Sequence, residues 1–230
     1  MIEEVKKQVS QLLGTDKSGH GMEHINRVLN LSLEFAKKEK ANIEEVSLIA
    51  LLHDVDDYKL FGEENAKNLT NAKRIMNEVG IPLELQLKVI DNLKCIGYSK
   101  SLIGLRPTSI EGKIVSDADM CDGLGAIGII RGHSYGIKVN RPFFDKNIFP
   151  EDEGPGVHNL KGTASTVNFI IANLLKYKYV MLTKSGRVEA EKREKTLLDF
   201  LYNYFAEENV PNWIEYLNKV VKDLKINNRK

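Results

Sequence analysis

The sequence predicts an all-α fold with a long loop inserted before the C-terminal helices. Three observations carry that prediction. Apolar residues recur at helical spacing along most of the chain, and no stretch alternates apolar and polar residues long enough to read as a strand. The helical pattern lapses once at length, over residues 132–162, which hold Pro142, Pro150, Pro155 and four glycines from Gly136 to Gly162. A loop of that length inside a domain reads as a lid, a binding loop or a plain surface loop.

The elements follow in order. Val5, Val9, Leu12 and Leu13 make a short first helix that ends at Gly14. A second spans about residues 21–40, with Ile25, Val28, Leu29, Phe35 and Ala36 as its stripe. Asn42 can cap a third, since its side chain can accept from an early free N–H, and Val46, Ile49, Ala50 and His53 share one face of that helix. Residues 63–79 read as one helix stopped by Gly80 and Pro82, and residues 83–93 as another. Residues 97–109, with Gly104 and Pro107, read as loop. Residues 110–130 are helical in pattern but interrupted by Gly123, Gly125 and Gly128, a composition that suits close packing. After the long loop come helices over about 163–179, 186–207 and 212–225. The expected organisation is a single domain, 1–230.

Composition narrows the function. The chain has 230 residues with 33 basic and 32 acidic side chains, a formal net charge of +1, so it carries no basic footprint for nucleic acid. At this length a chain buries about three quarters of its unfolded surface and needs no disulfide or structural metal to fold. Cys95 and Cys121 stand alone, which excludes a disulfide framework and a cysteine zinc site and suits a reducing compartment. The amino terminus lacks the apolar core of a signal peptide, and no apolar run approaches the ~18 residues of a membrane span. A cytoplasmic protein without membrane or nucleic-acid partners is expected.

The ionisable residues are placed less evenly. His24, Val28, Leu31 and Phe35 follow one helical stripe, so the imidazole points inward. His53 continues the stripe of Val46, Ile49 and Ala50, and Asp54 follows it directly. Asp119 stands four after Val115, beside Ile114 and Ala118. Each alone fits a hydrogen-bonded core histidine or its orienting carboxylate. Together, two imidazoles and two carboxylates on inward faces form a donor set for a borderline-hard cation, because a buried unpaired ion costs several kcal/mol.

The order His, His-Asp, Asp, with 28 residues between the first two and 64 between the last two, resembles the HD-domain metal-dependent phosphohydrolases. The longer runs His-Gly-Met-Glu-His-Ile-Asn-Arg-Val (20–28), Leu-Leu-His-Asp-Val-Asp-Asp-Tyr-Lys (51–59) and Asp-Ala-Asp-Met-Cys-Asp-Gly-Leu-Gly-Ala-Ile-Gly-Ile-Ile-Arg (117–131) resemble one small bacterial branch, similar to nucleotide pyrophosphohydrolases. So does Lys-Tyr-Lys-Tyr-Val-Met-Leu-Thr (176–183), and the resemblance runs from about His20 to Glu208. It implies an HD-type helical bundle that holds one divalent metal and hydrolyses phosphate esters or anhydrides, nucleoside triphosphates among them. By the same resemblance His24, His53, Asp54 and Asp119 are the metal ligands, Asp119 being preferred over Asp117. The two face nearly opposite ways on a helix, so only one should ligate. Manganese is the first expectation, with magnesium, iron or nickel as alternatives. The chain departs from the branch at Lys94–Ser99 and at Val167–Asn168–Phe169, where relatives commonly carry a histidine; both departures argue against a second metal.

Further roles follow from position. Asp57, one turn beyond His53, is the candidate to orient or deprotonate a water, or else a solvated residue in an acidic turn. Arg27, Lys59 and Arg131 are candidate phosphate clamps or ordinary structural charges. His20 is a candidate substrate contact or a capping residue, and His133 and His158 have no identifiable partner. Tyr135, Phe143 and Phe144 suit either a base pocket or core packing. The expected function is hydrolysis of a small phosphorylated substrate, a nucleotide, with nucleoside triphosphates releasing pyrophosphate. The alternative is a metal-retaining nucleotide-sensing module with little turnover.

Overall fold

Helix follows helix along the chain, as the apolar spacing predicts. The computed structural model describes residues 1–14, 21–150 and 165–228, and no strand occurs among them. The elements are α1 (Ile2–Leu13), α2 (Met22–Glu39), α3 (Ile43–Leu52), α4 (Tyr58–Asn68), α5 (Thr70–Val79), α6 (Leu83–Leu93), α7 (Tyr98–Leu102), α8 (Ile110–Asp122), α9 (Gly125–Lys138), α10 (Thr166–Ala172), a 3-10 segment (Leu174–Val180), α11 (Lys184–Glu207) and α12 (Pro211–Asn227). None of the helices described is long and apolar enough to cross a membrane.

The chain divides into two units, Met1–Asp119 with Leu182–Ser185, and Met120–Met181 with Gly186–Lys230. In the first, α3 is the central helix. Asn42 caps it, its side-chain oxygen accepting from the Glu44 and Glu45 amides at 3.0 and 3.1 Å, as expected. Val46 and Leu48 to Leu52 are buried on every side, against α1, α2 and α6. Each of the valine, leucine and isoleucine side chains contributes about 1.5–3 kcal/mol when taken fully out of water. That all-round burial leaves the end of α3, where His53 stands, no freedom to drift.

The second unit is built around Trp213, which is fully buried. Phe149 stacks on it at 4.4 Å between centroids, Phe144 meets it edge-on at 4.9 Å, and its indole N–H donates to the Lys146 carbonyl at 3.0 Å. Phe143 packs edge-on against Tyr204 at 5.2 Å and against the His133 ring at 5.1 Å. Of the two roles open to Phe143 and Phe144, the structure therefore assigns core packing. Tyr135 lies beneath the Arg141 guanidinium, 5.9 Å from its ring centroid.

Several boundaries differ from the sequence expectation. The helix expected over 63–79 is two, α4 and α5, because Leu69 takes a left-handed conformation (φ 52°) that terminates one and starts the next. Leucine has no intrinsic preference for that conformation, so nothing in the local pattern announces the break. The loop at 97–109 contains the short α7. The helix expected over 110–130 breaks before Gly125 (φ 70°), and α9 then runs on to Lys138, into the expected long loop. Apolar periodicity fails there because α9 turns glycines inward: Gly125, Gly128, Gly132 and Gly136 are buried, while Ile130 and Ile137 are exposed. A Cβ on Gly128 would lie 2.1 Å from the Gly123 carbonyl oxygen, so that approach requires glycine. His158 and residues 151–164 of the long loop lie outside the described residues.

Glu45 is buried on α3, and desolvation, with the like charge of Glu111, raises its carboxyl above the usual value of 4.5, Lys88 opposing. A raised carboxyl costs stability as pH climbs through its folded pKa, because the folded state then binds more protons than the unfolded chain. Glu45→Gln is expected to match the wild type below pH 4.5 and exceed it at pH 7, as read from urea midpoints. An equal midpoint at both pH values would contradict this.

Candidate metal centre

Three separate elements of the first unit bring the candidate ligands together. Gly21 in extended backbone precedes α2, and the first turn of that helix presents His24, 1% exposed. His53 is the residue that ends α3, and Asp54 begins the turn beyond it. Asp119 comes from the last part of α8 within this unit.

Their donor atoms converge. His24 Nε2 lies 3.1 Å from His53 Nε2, 3.3 Å from Asp54 Oδ2 and 3.5 Å from Asp119 Oδ1. His53 Nε2 lies 3.6 Å from Asp54 Oδ2 and 3.8 Å from Asp119 Oδ1. The imidazoles are almost wholly buried, at 1% side-chain exposure, whereas Asp54 keeps 15% and Asp119 23%. The nitrogens thus form the floor and the carboxylates the open side.

The protonation of the floor is constrained. His53 Nδ1 lies 2.8 Å from the Ala50 carbonyl oxygen, which can only accept, so Nδ1 carries a proton and Nε2 is the nitrogen left to face the cluster. A backbone carbonyl in this role orients a ligating histidine in many metal sites. One proton on His24 Nε2 can serve one of its three neighbours at a time, while a single cation serves all four donors. Ligands at about 2.1 Å from an ion are about 3.0 Å apart in an octahedron and about 3.4 Å in a tetrahedron. The five separations that involve an imidazole, 3.1–3.8 Å, fit such a set. His24, His53 and Asp119 offer donor atoms that all lie within 4.8 Å of one another, and Asp54 Oδ2 stands beside the two ring nitrogens.

The turn after α3 is held by a residue the sequence reading did not single out. Asp56 is buried, and its carboxylate accepts from the Asn71 and Ala72 amides, both at 2.9 Å. These are early N–H groups of α5, which have no partner inside their own helix. The Asn71 side chain donates in turn to the Val55 carbonyl at 2.8 Å. Burial pushes the Asp56 carboxyl upward, and the amide bonds oppose it. The segment carrying His53 and Asp54 is therefore tied to α5. Asp56 escapes a sequence pattern because its partners lie 15 and 16 residues away.

Of Asp117 and Asp119 on α8, only Asp119 reaches the cluster. Asp117, fully buried, accepts from the Leu182 and Thr183 amides at 2.9 and 2.7 Å and from the Thr183 hydroxyl at 2.7 Å. Asp57 caps α4, one carboxylate oxygen accepting from the Lys59 amide at 2.8 Å. Lys59 is exposed, its ammonium 5.7 Å from the Tyr58 ring centroid, and Arg27 is half-buried on α2. Arg131 belongs to the second unit and pairs with the buried Asp122 at 2.9 Å. His20 lies outside the described residues.

The family model of the HD domain matches residues 21–124, the stretch that holds all four converging side chains. An HD-superfamily hydrolase from Bacillus thuringiensis superposes with a TM-score of 0.69 at 30% identity, covering 91% of this chain and 97% of that one. The chain belongs to the HD superfamily of hydrolases. YpgQ of Bacillus subtilis is 29% identical over 210 residues, 91% of this chain and 93% of YpgQ. A crystal structure of YpgQ in complex with ADP superposes at a TM-score of 0.67, with 24% identity over 93% of this chain and 100% of YpgQ. A Lactobacillus plantarum protein superposes at 0.78, with 28% identity over 90% of this chain and 96% of its own.

If Asp56 anchors the turn, Asp56→Ala leaves two buried amides short of an acceptor. The expected cost is about 1–3 kcal/mol, measured as a fall in the urea midpoint. A change within ~0.5 kcal/mol, the range of ordinary surface substitutions, would contradict the anchoring role.

Proposed function

We propose that this HD-superfamily member is a single-metal phosphohydrolase acting on nucleotides, and that its preferred substrates are nucleoside triphosphates cleaved with release of pyrophosphate. The observation that carries the reading is the convergence of His24 Nε2, His53 Nε2, Asp54 Oδ2 and Asp119 Oδ1 at separations suited to one cation. YpgQ, the 29% identical relative whose crystal structure contains ADP, supports a nucleotide ligand. We take residues 1–230 to act as one functional domain, in the cytoplasm.

In this reading His24, His53, Asp54 and Asp119 hold one divalent ion, with manganese preferred and magnesium, iron or nickel as alternatives. When bound, such an ion polarises a phosphoryl oxygen and lowers the pKa of a water. Asp57 orients the attacking water and takes its proton; capping α4 fixes that carboxylate through the Lys59 amide. The water oxygen bonds to phosphorus as the bond to the leaving pyrophosphate oxygen breaks. Arg27, Lys59 and His20 bind the remaining phosphate oxygens. Arg131, the third candidate cation, stays with its Asp122 partner in the second unit.

Elemental analysis of protein purified without chelator is expected to find about one divalent ion per chain. No ion, and no uptake of manganese, iron, nickel or magnesium, would remove the site. Asp54→Ala is expected to keep its helical circular dichroism. Its hydrolysis should fall by more than ~100-fold, beyond the 10- to 100-fold cost of losing a group that only orients ligands.

Chromatography of products, with manganese present, tests the substrate. Several nucleoside triphosphates are expected to yield a monophosphate and pyrophosphate. Exclusive attack on monophosphates would overturn the triphosphate assignment, and nucleotide binding without turnover would favour the sensing module.

A further inference from the structure

Asp117 is two residues from Asp119 on α8, so the two side chains leave the helix about 200° apart, on nearly opposite sides. Asp119 faces the donor cluster. Asp117 faces the other way and receives the short segment Leu182–Ser185, which returns to the first unit from the far end of the chain. Its carboxylate accepts from two consecutive backbone amides, Leu182 and Thr183, and from the Thr183 hydroxyl. The same segment is held at its other end on α2, where the Ser185 amide donates to Glu39 Oε1 at 2.8 Å. Hydrogen bonds from the Ser185 side chain and backbone hold the Glu39 carboxyl below its usual range, burial opposing.

α2 carries His24 and α8 carries Asp119. The four-residue strap is therefore pinned to both of these ligand-bearing helices, by a carboxylate from each. We propose that Asp117 is a positioning residue for the metal centre: through the strap it fixes the rotation of α8, and so sets Asp119 against His24. The inference rests on the reading of the cluster as a metal site.

The magnitudes favour a positional effect. A ligand atom stands about 5–6 Å from its helix axis, so a rotation of α8 by about 10° moves it by about 1 Å. Functional constellations tolerate about 0.5 Å. Three hydrogen-bond donors on one fully buried carboxylate oppose that rotation in a way that apolar packing, which is not directional, does not.

The test is Mn2+ titration into metal-free protein by calorimetry, at a temperature where circular dichroism shows every variant folded. Asp117→Asn replaces one acceptor oxygen by an amide that meets the strap N–H groups donor to donor. Its Mn2+ affinity is expected to fall about 10- to 100-fold, with faster hydrogen exchange at the Leu182 and Thr183 amides. Leu217→Ala weakens the buried core around α12 in the second unit without touching the strap, and is expected to keep wild-type affinity. Where Asp117→Asn fails to fold, Thr183→Val removes the hydroxyl bond alone and is expected to lower affinity by less. Wild-type Mn2+ affinity in Asp117→Asn, or an equal loss in Leu217→Ala, would overturn the positioning role while leaving the metal site intact. A wild-type protein that binds no Mn2+ would instead overturn the metal reading beneath it.

Discussion

The structure turns on two imidazole nitrogens 3.1 Å apart, both almost buried, with two carboxylate oxygens set beside them. Two carboxylate oxygens gathered this closely on two buried ring nitrogens are unfavourable without positive charge among them. The cluster exists because its members are attached to elements that cannot yield. α3 is buried on all sides, α2 packs on it, and α8 is held by a strap of chain. The stability of the helical packing holds the donors in place, in an arrangement that suits a cation.

Around the cluster, the buried acids are used in three different ways. Asp54 and Asp119 keep part of their surface open and face the centre. Asp56 and Asp117, each two residues away in sequence, are buried and occupied by backbone N–H groups of distant segments. Asp122 is neutralised by Arg131. A carboxylate satisfied by two or three amides is a strong structural tie, and one facing other acceptors is a ligand in waiting. The alternation within Asp-Val-Asp (54–56) and Asp-Ala-Asp (117–119) thus divides each pair between a carboxylate that faces the cluster and one that ties distant backbone, with the order reversed in the second pair.

This division marks where sequence legibility ends. The helical stripe placed His24 inward, and the end of the α3 pattern placed His53 and Asp54, because burial on one face is a local, periodic signal. The preference for Asp119 over Asp117 came from a family resemblance, and the structure supplies its physical ground in the strap bonds. Asp56 gave no signal, since its partners on α5 are fixed only by the tertiary fold. The break at Leu69 was invisible because the left-handed conformation is imposed on a residue that does not favour it. The run of α9 into the expected loop was hidden for another reason: a helix that packs through glycines and exposes isoleucines inverts the pattern by which helices are recognised.

The charge at the centre also bears on what can approach it. Two carboxylates and a divalent ion sum to zero, the neutral imidazoles adding nothing. On the proposed reading a phosphorylated substrate enters on the open side, which is the carboxylate side. Before the ion binds, that side repels an anion; afterwards it is neutral, but it does not offset the several negative charges of a polyphosphate. On the proposed reading the order is therefore cation first and substrate second, and the remaining charge falls to cationic side chains outside the four ligands. Arg27, on the helix that bears His24, and Lys59, in the first turn of the helix that Asp57 caps, are attached to the same framework as the ligands. Their cost of ordering is lowered by that attachment, which is how a site with one ion can hold a chain of phosphates without a second.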